Sequence, residues 1–285
     1  MPSRDTVHAN DFLERMTARS RARVTAAQAR CPITELQAQA RDLPAPPSLR
    51  LAPEGFDLIA EVKRRSPAQG QLAGEQLDPV AQATAYANAG AAALSVLTEP
   101  EEFHGTLADL DAVAGAVVRV PAMRKDFLVD PYQVWEARVA GAGGVLLVAA
   151  CLDREMLERM LEVTLELGLF ALVEVFDEGE LQHCLPVMDA AGPALESDGV
   201  RMLLGVNCRD LRSLQVDFAR FAELAPRLPT NYPKIAESGV VKPVDAAAVA
   251  AAGYELALVG TALMRAADPA AAAQALLSAG RGACA

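Results

Sequence analysis

Lysine is nearly missing from this chain. Of its 26 basic residues 22 are arginine, which leaves only Lys63, Lys125, Lys234 and Lys242. Arginine stays protonated in a protein, whereas a buried lysine can shift its pKa toward neutrality and transfer a proton. Lys63 and Lys125 close short hydrophobic strands, a placement that marks them for chemistry. Histidine is scarce too, with three residues, and the five cysteines at 31, 151, 184, 208 and 284 form no C-x-x-C and have no histidine at metal spacing. This excludes a disulfide framework and a zinc module, and it indicates a reduced, cytoplasmic protein. The first ten residues hold no apolar core of the kind a secretory signal needs. No run of about 18 charge-free apolar residues occurs outside the alanine-rich C-terminal tail, and alanine is too weakly hydrophobic to span a bilayer. Positive charge is in deficit overall: the net charge is −11 and the pI about 4.8. That argues against nucleic acid and against an anionic membrane surface as partners. A small anionic substrate then requires a local basic site.

What is present is a chain of 285 residues, 52% hydrophobic, long enough for one large core. Val7 to about Arg30 reads as a polar amphipathic helix, with Phe12, Leu13, Met16 and Val24 as its apolar contacts. Pro44-Ala45-Pro46-Pro47 then forms a linker, because this proline density forbids helix. We expect residues 1–50 to form a helical extension with that linker and residues 51–285 a single catalytic domain. Within the latter, short apolar runs recur near Leu58–Lys63, Ala92–Leu97, Ala122–Lys125, Val145–Ala149, Phe170–Val175, Met202–Asn207, Lys234–Glu237 and Leu256–Gly260, with helical patterns between them. Three helices open on Asp-Pro, at Asp78, Asp130 and Asp268, which combines an N-cap with a residue pre-set for the first turn. Gly90, Gly141, Gly168 and Gly253 sit where helices should stop. From Asp153 to Gly168, Leu157, Met160, Leu161 and Leu165 make one apolar stripe. Eight strand–helix units predict a (β/α)8 TIM barrel. A doubly wound sheet, the main competitor, usually carries G-x-G-x-x-G after its first strand, and none is present.

Side chains two apart on a strand share a face. Glu61 with Lys63, Met123 with Lys125, Leu172 with Glu174, Gly205 with Asn207 and Ile235 with Glu237 therefore form inward pairs, and five strands end in inward polar groups. In such barrels the C-terminal strand ends build the active site. One polar strand end could be a structural salt bridge; five converging at one rim point to function. The types suit acid–base catalysis on an anion, with Lys125 and Glu174 as donor and acceptor. Lys63, Arg64, Arg65, Arg124, Lys125 and Arg209 are expected to make the rim locally positive. The turns Glu237-Ser238-Gly239 and Val259-Gly260-Thr261 follow strands 7 and 8, where barrels often hold phosphate.

The motifs Ile59-Ala60-Glu61-Val62-Lys63-Arg64 with Ser66-Pro67, Leu94-Ser95-Val96-Leu97-Thr98-Glu99, Met123-Arg124-Lys125-Asp126-Phe127, Leu172-Val173-Glu174-Val175, Gly205-Val206-Asn207-Cys208-Arg209-Asp210-Leu211 and Glu237-Ser238-Gly239 occur in this order and spacing. In them the chain resembles the indole-3-glycerol-phosphate synthase family of tryptophan biosynthesis over nearly its whole length. The resemblance implies a lyase that cyclises 1-(2-carboxyphenylamino)-1-deoxyribulose 5-phosphate with loss of carbon dioxide and water. It implies Lys125 as the general acid of ring closure and Glu174 as the second acid/base, acting at dehydration. Lys63 would bind the anthranilate carboxylate and share proton work, with Glu61 holding it. Asn207 and Glu237 would orient substrate hydroxyls and the lysines. Ser66, Ser238, Gly239, Gly260 and Thr261 would hold phosphate. Pro67, Phe127, Leu146 and Leu211 would line the aromatic slot, with Arg209 on the carboxylate side. It implies no metal and no organic cofactor. We expect a monomer or weak homo-oligomer whose partner is a small anionic substrate, and carboxylates that counter the desolvation of Lys125. The chain departs from the family pattern at Cys208, Phe176 and Ala68 and in a lengthened connection at 189–199.

Other residues have plainer readings. His104, His8 and His183 look peripheral, Cys208 should face away from Asn207, and Trp135 should pack on an outer helix. Two rival functions stay open: a phosphoribosyl isomerase on the same barrel, and a non-catalytic binding protein that keeps the phosphate site.

Overall fold

The computed structural model describes residues 12–67, 70–72 and 77–284. Eight parallel strands close into a barrel: β1 (Asp57–Val62), β2 (Ala93–Leu97), β3 (Ala122–Lys125), β4 (Gly144–Val148), β5 (Phe170–Val175), β6 (Met202–Asn207), β7 (Lys234–Glu237) and β8 (Leu256–Val259), with β8 returning to pair with β1. Each coincides with an expected apolar run to within a residue or so at its ends. Alternation sorts their side chains into two cores. Ile59, Met123, Leu146, Leu172, Ile235 and Leu258 fill the interior of the barrel. Leu58, Ala60, Leu94, Val145, Val173 and Ala236 face outward and pack under the helices.

The helix boundaries follow local chemistry. The carboxylates of Asp78, Asp130 and Asp268 accept backbone N–H bonds from the first turns of the helices Pro79–Asn88, Pro131–Val139 and Pro269–Ala283. Gly90, Gly141, Gly168 and Gly253 all have positive φ just beyond helix ends, the left-handed conformation that terminates a helix cheaply only in glycine. In the helix Arg154–Glu166 the buried stripe is Leu157, Met160, Leu161 and Thr164, so Thr164 takes the place expected for Leu165. It can be buried there because its hydroxyl donates to the Met160 carbonyl at 2.6 Å.

Segments outside the strands pack against both ends of the barrel core. At the N-terminal ends of the strands, the connection at 189–199 contains a small antiparallel hairpin, Leu195–Glu196 with Gly199–Val200. The Val200 N–H donates to the Leu49 carbonyl at 2.8 Å, and both side chains join the interior core. At the opposite end lies the helix α1 (Phe12–Arg30), which delivers Phe12, Leu13 and Met16 to that same core. The expected helix began at Val7, and residues 7–11 lie outside the described ones. A second helix, α2 (Ile33–Arg41), follows α1 and was not anticipated, since its nine residues carry only Ile33 and Leu36 as large apolar groups. The prolines at 44–47 lie outside any helix or strand, as expected, and the Arg138 guanidinium donates to the carbonyls of Leu43 and Pro44. Among the described residues no helix is long and apolar enough to cross a membrane, and all five cysteines are free.

Leu172 is fully buried in the interior core and lies on the same strand as Glu174. Leu172→Ala should cost about 2–5 kcal/mol of folding stability by leaving a cavity, measured as a lowered urea midpoint.

Candidate active site

The C-terminal ends of the strands surround a cavity of about 600 Å³. Every residue singled out in the sequence as catalytic or substrate-binding lines it: Glu61 on β1 with Lys63, Ser66 and Pro67 after it, Lys125 on β3 with Phe127 after it, Leu146 on β4, Glu174 on β5, Asn207 on β6 with Arg209 and Leu211 after it, Glu237 on β7 with Ser238 and Gly239 after it, and Gly260 and Thr261 after β8. The volume suits a ligand of drug or sugar-phosphate size.

Lys125 is the centre of the arrangement. Its Nζ lies 3.9 Å from Glu174 Oε2 and 4.0 Å from Glu237 Oε2. Burial by itself lowers the pKa of this ammonium, but the carboxylates of Glu174, Glu237 and Glu61 outweigh burial and the opposing Arg209, and hold it above the ordinary lysine value. Lys125 therefore keeps its proton and its charge at neutral pH. A second ion pair joins Lys63 Nζ to Glu61 Oε1 at 2.5 Å. Asn207 is neutral and fixed at both ends of its amide: Nδ2 donates to Glu174 Oε1 at 2.9 Å, and Oδ1 accepts from the Arg209 N–H at 2.9 Å.

Two glycines make this crowding of charge feasible. A Cβ at Gly205 would sit 2.2 Å from Glu237 Oε1, and one at Gly260 would sit 2.1 Å from Glu61 Oε1 and 2.9 Å from Lys63 Nζ. Gly260 was expected as part of a phosphate cradle; it also makes room for the Glu61–Lys63 pair. On the cavity wall, Leu214 has φ +62°, a left-handed conformation costly for a leucine, and its carbonyl accepts from Arg209 Nη1 at 3.0 Å.

The rim is less basic than its sequence suggests. Arg64 is spent on Asp109 and the Leu77 carbonyl, and Arg65 on Glu102. Arg124, one residue before Lys125, turns to the opposite face and is buried among Thr98, Asp126, Glu136 and the Gln133 carbonyl. The reason is strand alternation, which cannot send neighbours to the same side. The cations that do line the cavity are Lys63, Lys125, Arg209 and Arg265, facing the carboxylates of Glu61, Asp126, Glu174 and Glu237.

Of the lining residues not expected from the sequence, three carry an aromatic ring or a charge into the cavity from outside the strand-end motifs. Phe12 reaches the cavity from α1, its ring edge-on to that of Phe127 with centroids 6.0 Å apart. Phe103, in the loop after β2, lies 6.4 Å from Phe127. Arg265 follows Thr261 by one helical turn. Only Arg265 had a legible signal, a basic residue four positions beyond a strand-8 turn; no local pattern says where the first helix docks. That docking is built around the strand-3 motif. The Ser20 hydroxyl donates to the Phe127 carbonyl, and Arg23 Nη2 pairs with Asp126 Oδ1 at 2.7 Å.

The plainer readings hold where the structure bears on them. Cys208 is fully buried among outward-facing residues, and burial pushes its thiol up to about 12, so it is no nucleophile. His104 is exposed and outside the cavity lining. Trp135 packs against the small core that α1 and α2 share with Val129 and Tyr132. Phe176 carries the Arg220 guanidinium 3.7 Å above its ring. Ala68 lies outside the described residues.

Comparison with known proteins places these features in a family. The family model for indole-3-glycerol phosphate synthase matches residues 13–276. Indole-3-glycerol phosphate synthase of Mycolicibacterium gilvum is 46% identical over 262 residues, covering 91% of each chain. That of Mycobacterium leprae is 45% identical over the same length and share. Among solved structures, 3-hexulose-6-phosphate synthase from Salmonella typhimurium superposes with a TM-score of 0.62 at 13% identity, covering 80% of this chain and all of that one. Thiamine phosphate pyrophosphorylase from Pyrococcus furiosus gives 0.57 at 17% identity, covering 81% and 98%. At such identities the structural matches speak for the barrel alone.

Gly205→Ala should force the Glu237 carboxyl out of place. We expect a fall in kcat of about a hundredfold with an unchanged far-ultraviolet circular dichroism spectrum, because a misplacement of about 1 Å in an active site can cost that much.

Proposed function

The chain belongs to the indole-3-glycerol phosphate synthase family, a family of carboxy-lyases, and we propose that it cyclises 1-(2-carboxyphenylamino)-1-deoxyribulose 5-phosphate by lysine–glutamate acid–base catalysis. The observation that carries this reading is the charged, desolvated Lys125 ammonium, which lines the cavity within 4.0 Å of the carboxyl groups of Glu174 and Glu237.

The ring carbon bearing the carboxylate attacks the ribulose carbonyl. Negative charge then develops on the carbonyl oxygen, and an ammonium with a raised pKa is suited to meet it with a proton. The ring gives up aromaticity until carbon dioxide leaves, so the barrier is lowered mainly by positioning and charge stabilisation. Phe127, Leu146, Pro67 and Leu211 supply the apolar slot for the ring, with Phe12 and Phe103 extending it. Lys63, held by Glu61, receives the anthranilate carboxylate and shares proton work, with Arg209 beside it. Asn207 fixes Glu174 for the dehydration. Ser66, Ser238, Gly239, Gly260 and Thr261 hold the phosphate. The protein works in the cytoplasm.

Incubation with the anilino-deoxyribulose phosphate should produce indole fluorescence; none at micromolar enzyme would reject the lyase. Lys125→Arg should abolish turnover and keep substrate affinity, because arginine supplies the charge but gives up no proton. Substantial turnover in that variant would show that charge alone suffices. Because the Lys125 pKa is raised, its proton is present below and lost above the ordinary lysine range. The alkaline limb of the kcat profile should therefore lie above that range if Lys125 is the acid.

A further inference from the structure

Glu237 is the least satisfied charged group of the site. Both its carboxyl oxygens are buried without a hydrogen-bond donor among the described residues, and Glu174 Oε2 is in the same position. Lys125 stands 3.9 and 4.0 Å away, close enough for Coulomb attraction and too far for hydrogen bonds. Asn207 serves only Glu174 Oε1. Two buried anions with three unmet oxygens are costly, and one proton would turn the contact from repulsion into a hydrogen bond.

The backbone brings the two groups together. β6 runs between β5 and β7, with Gly205 in register with Glu174 and Asn207 in register with Glu237. Gly205 has no side chain to separate them, and the space a Cβ would need is filled by Glu237 Oε1. The flanking β8 sets the apolar Leu258 in register with Glu237, and the charged groups acting on Glu237 are Glu174, Lys125 and Glu61. Burial first, and then Glu174, raise the Glu237 pKa far above the usual carboxylate range against the pull of Lys125.

We propose that Glu174 and Glu237 share a single proton in the resting enzyme, held on Glu237, and that this proton recharges Lys125 between ring closure and dehydration. The use of the proton rests on the lyase reading; its presence does not. The chemistry asks for such a store. The carbonyl oxygen takes one proton to become a hydroxyl and a second to leave as water. In ring closure Lys125 gives its proton to that oxygen as the carbon–carbon bond forms. The bond to the carboxylate then breaks, and its electron pair restores the aromatic ring as carbon dioxide leaves. The neutral Lys125 amine takes the proton of Glu237, which becomes a carboxylate. The restored ammonium protonates the hydroxyl, the carbon–oxygen bond breaks, and Glu174 accepts a proton from the methylene carbon beside nitrogen as the double bond forms. The carboxyl pair again holds one proton, and solvent returns one to Lys125. The turnover consumes one proton, as the loss of a carboxylate as neutral carbon dioxide requires. Glu237 thus acts through Lys125, not on the substrate.

Infrared difference spectroscopy on the substrate-free protein at neutral pH tests the store directly. The expected result is a carboxylic-acid C=O band that shifts in deuterium oxide and is lost in Glu237→Gln. A spectrum with carboxylate bands alone would overturn the proposal without touching the lyase assignment, as would an acid band that survives in Glu237→Gln and Glu174→Gln alike. In single-turnover experiments Glu237→Gln should slow dehydration about a hundredfold more than ring closure, so that the decarboxylated hydroxy-indoline accumulates. Equal slowing of both steps would assign Glu237 to positioning alone. If Glu237→Gln fails to fold, the wild-type spectrum and its pH titration still decide the matter. Wild-type protein that makes no indole, yet shows the acid band, would reject the lyase reading and leave the shared proton standing.

Discussion

A lysine ammonium taken out of water must be met by negative charge, or it gives up its proton. Lys125 is met by Glu174, Glu237 and Glu61, which reverse the effect of its burial. Much of the barrel mouth follows from this constraint. The carboxylates need space, which Gly205 and Gly260 provide by lacking a side chain. They need orientation, which Asn207 provides for Glu174. Because they repel one another, the site favours a proton shared between them, and this converts a crowded anionic cluster into a source of acid.

The same strand end joins the chemistry to the N-terminal helix. Alternation along β3 sends Lys125 into the barrel and Arg124 to the outer face, where Arg124 pairs with Asp126 and Glu136. Asp126 also receives Arg23 of α1, and the Phe127 carbonyl receives Ser20. The helix anchored in this way sets Phe12 against Phe127 over the cavity. One short motif therefore carries the buried ammonium of the cavity, its outward-facing counterpart and the attachment of α1.

The strands and the inward polar residues were legible because their signals are local. Period-two alternation, Asp-Pro helix starts and glycine stops are each decided by a few neighbouring residues, and the barrel reproduces them. The rim arginines were misjudged because a sequence shows that Arg64, Arg65 and Arg124 lie near the strand ends but not that Asp109, Glu102 and Asp126 wait for them. α2 went unforeseen because a short helix with two large apolar residues has little pattern to read.

From the order of its residues alone, this chain determines that eight strands alternate with helices and that lysine and glutamate point inward at their ends, since side-chain direction follows backbone periodicity. Tertiary structure decided how close those groups come, which of them lack partners and which helix covers them. Such distances are set by barrel closure and by glycines on neighbouring strands, and the partners lie scores of residues apart. Lys125 beside Glu237 and Phe12 beside Phe127 are products of that closure.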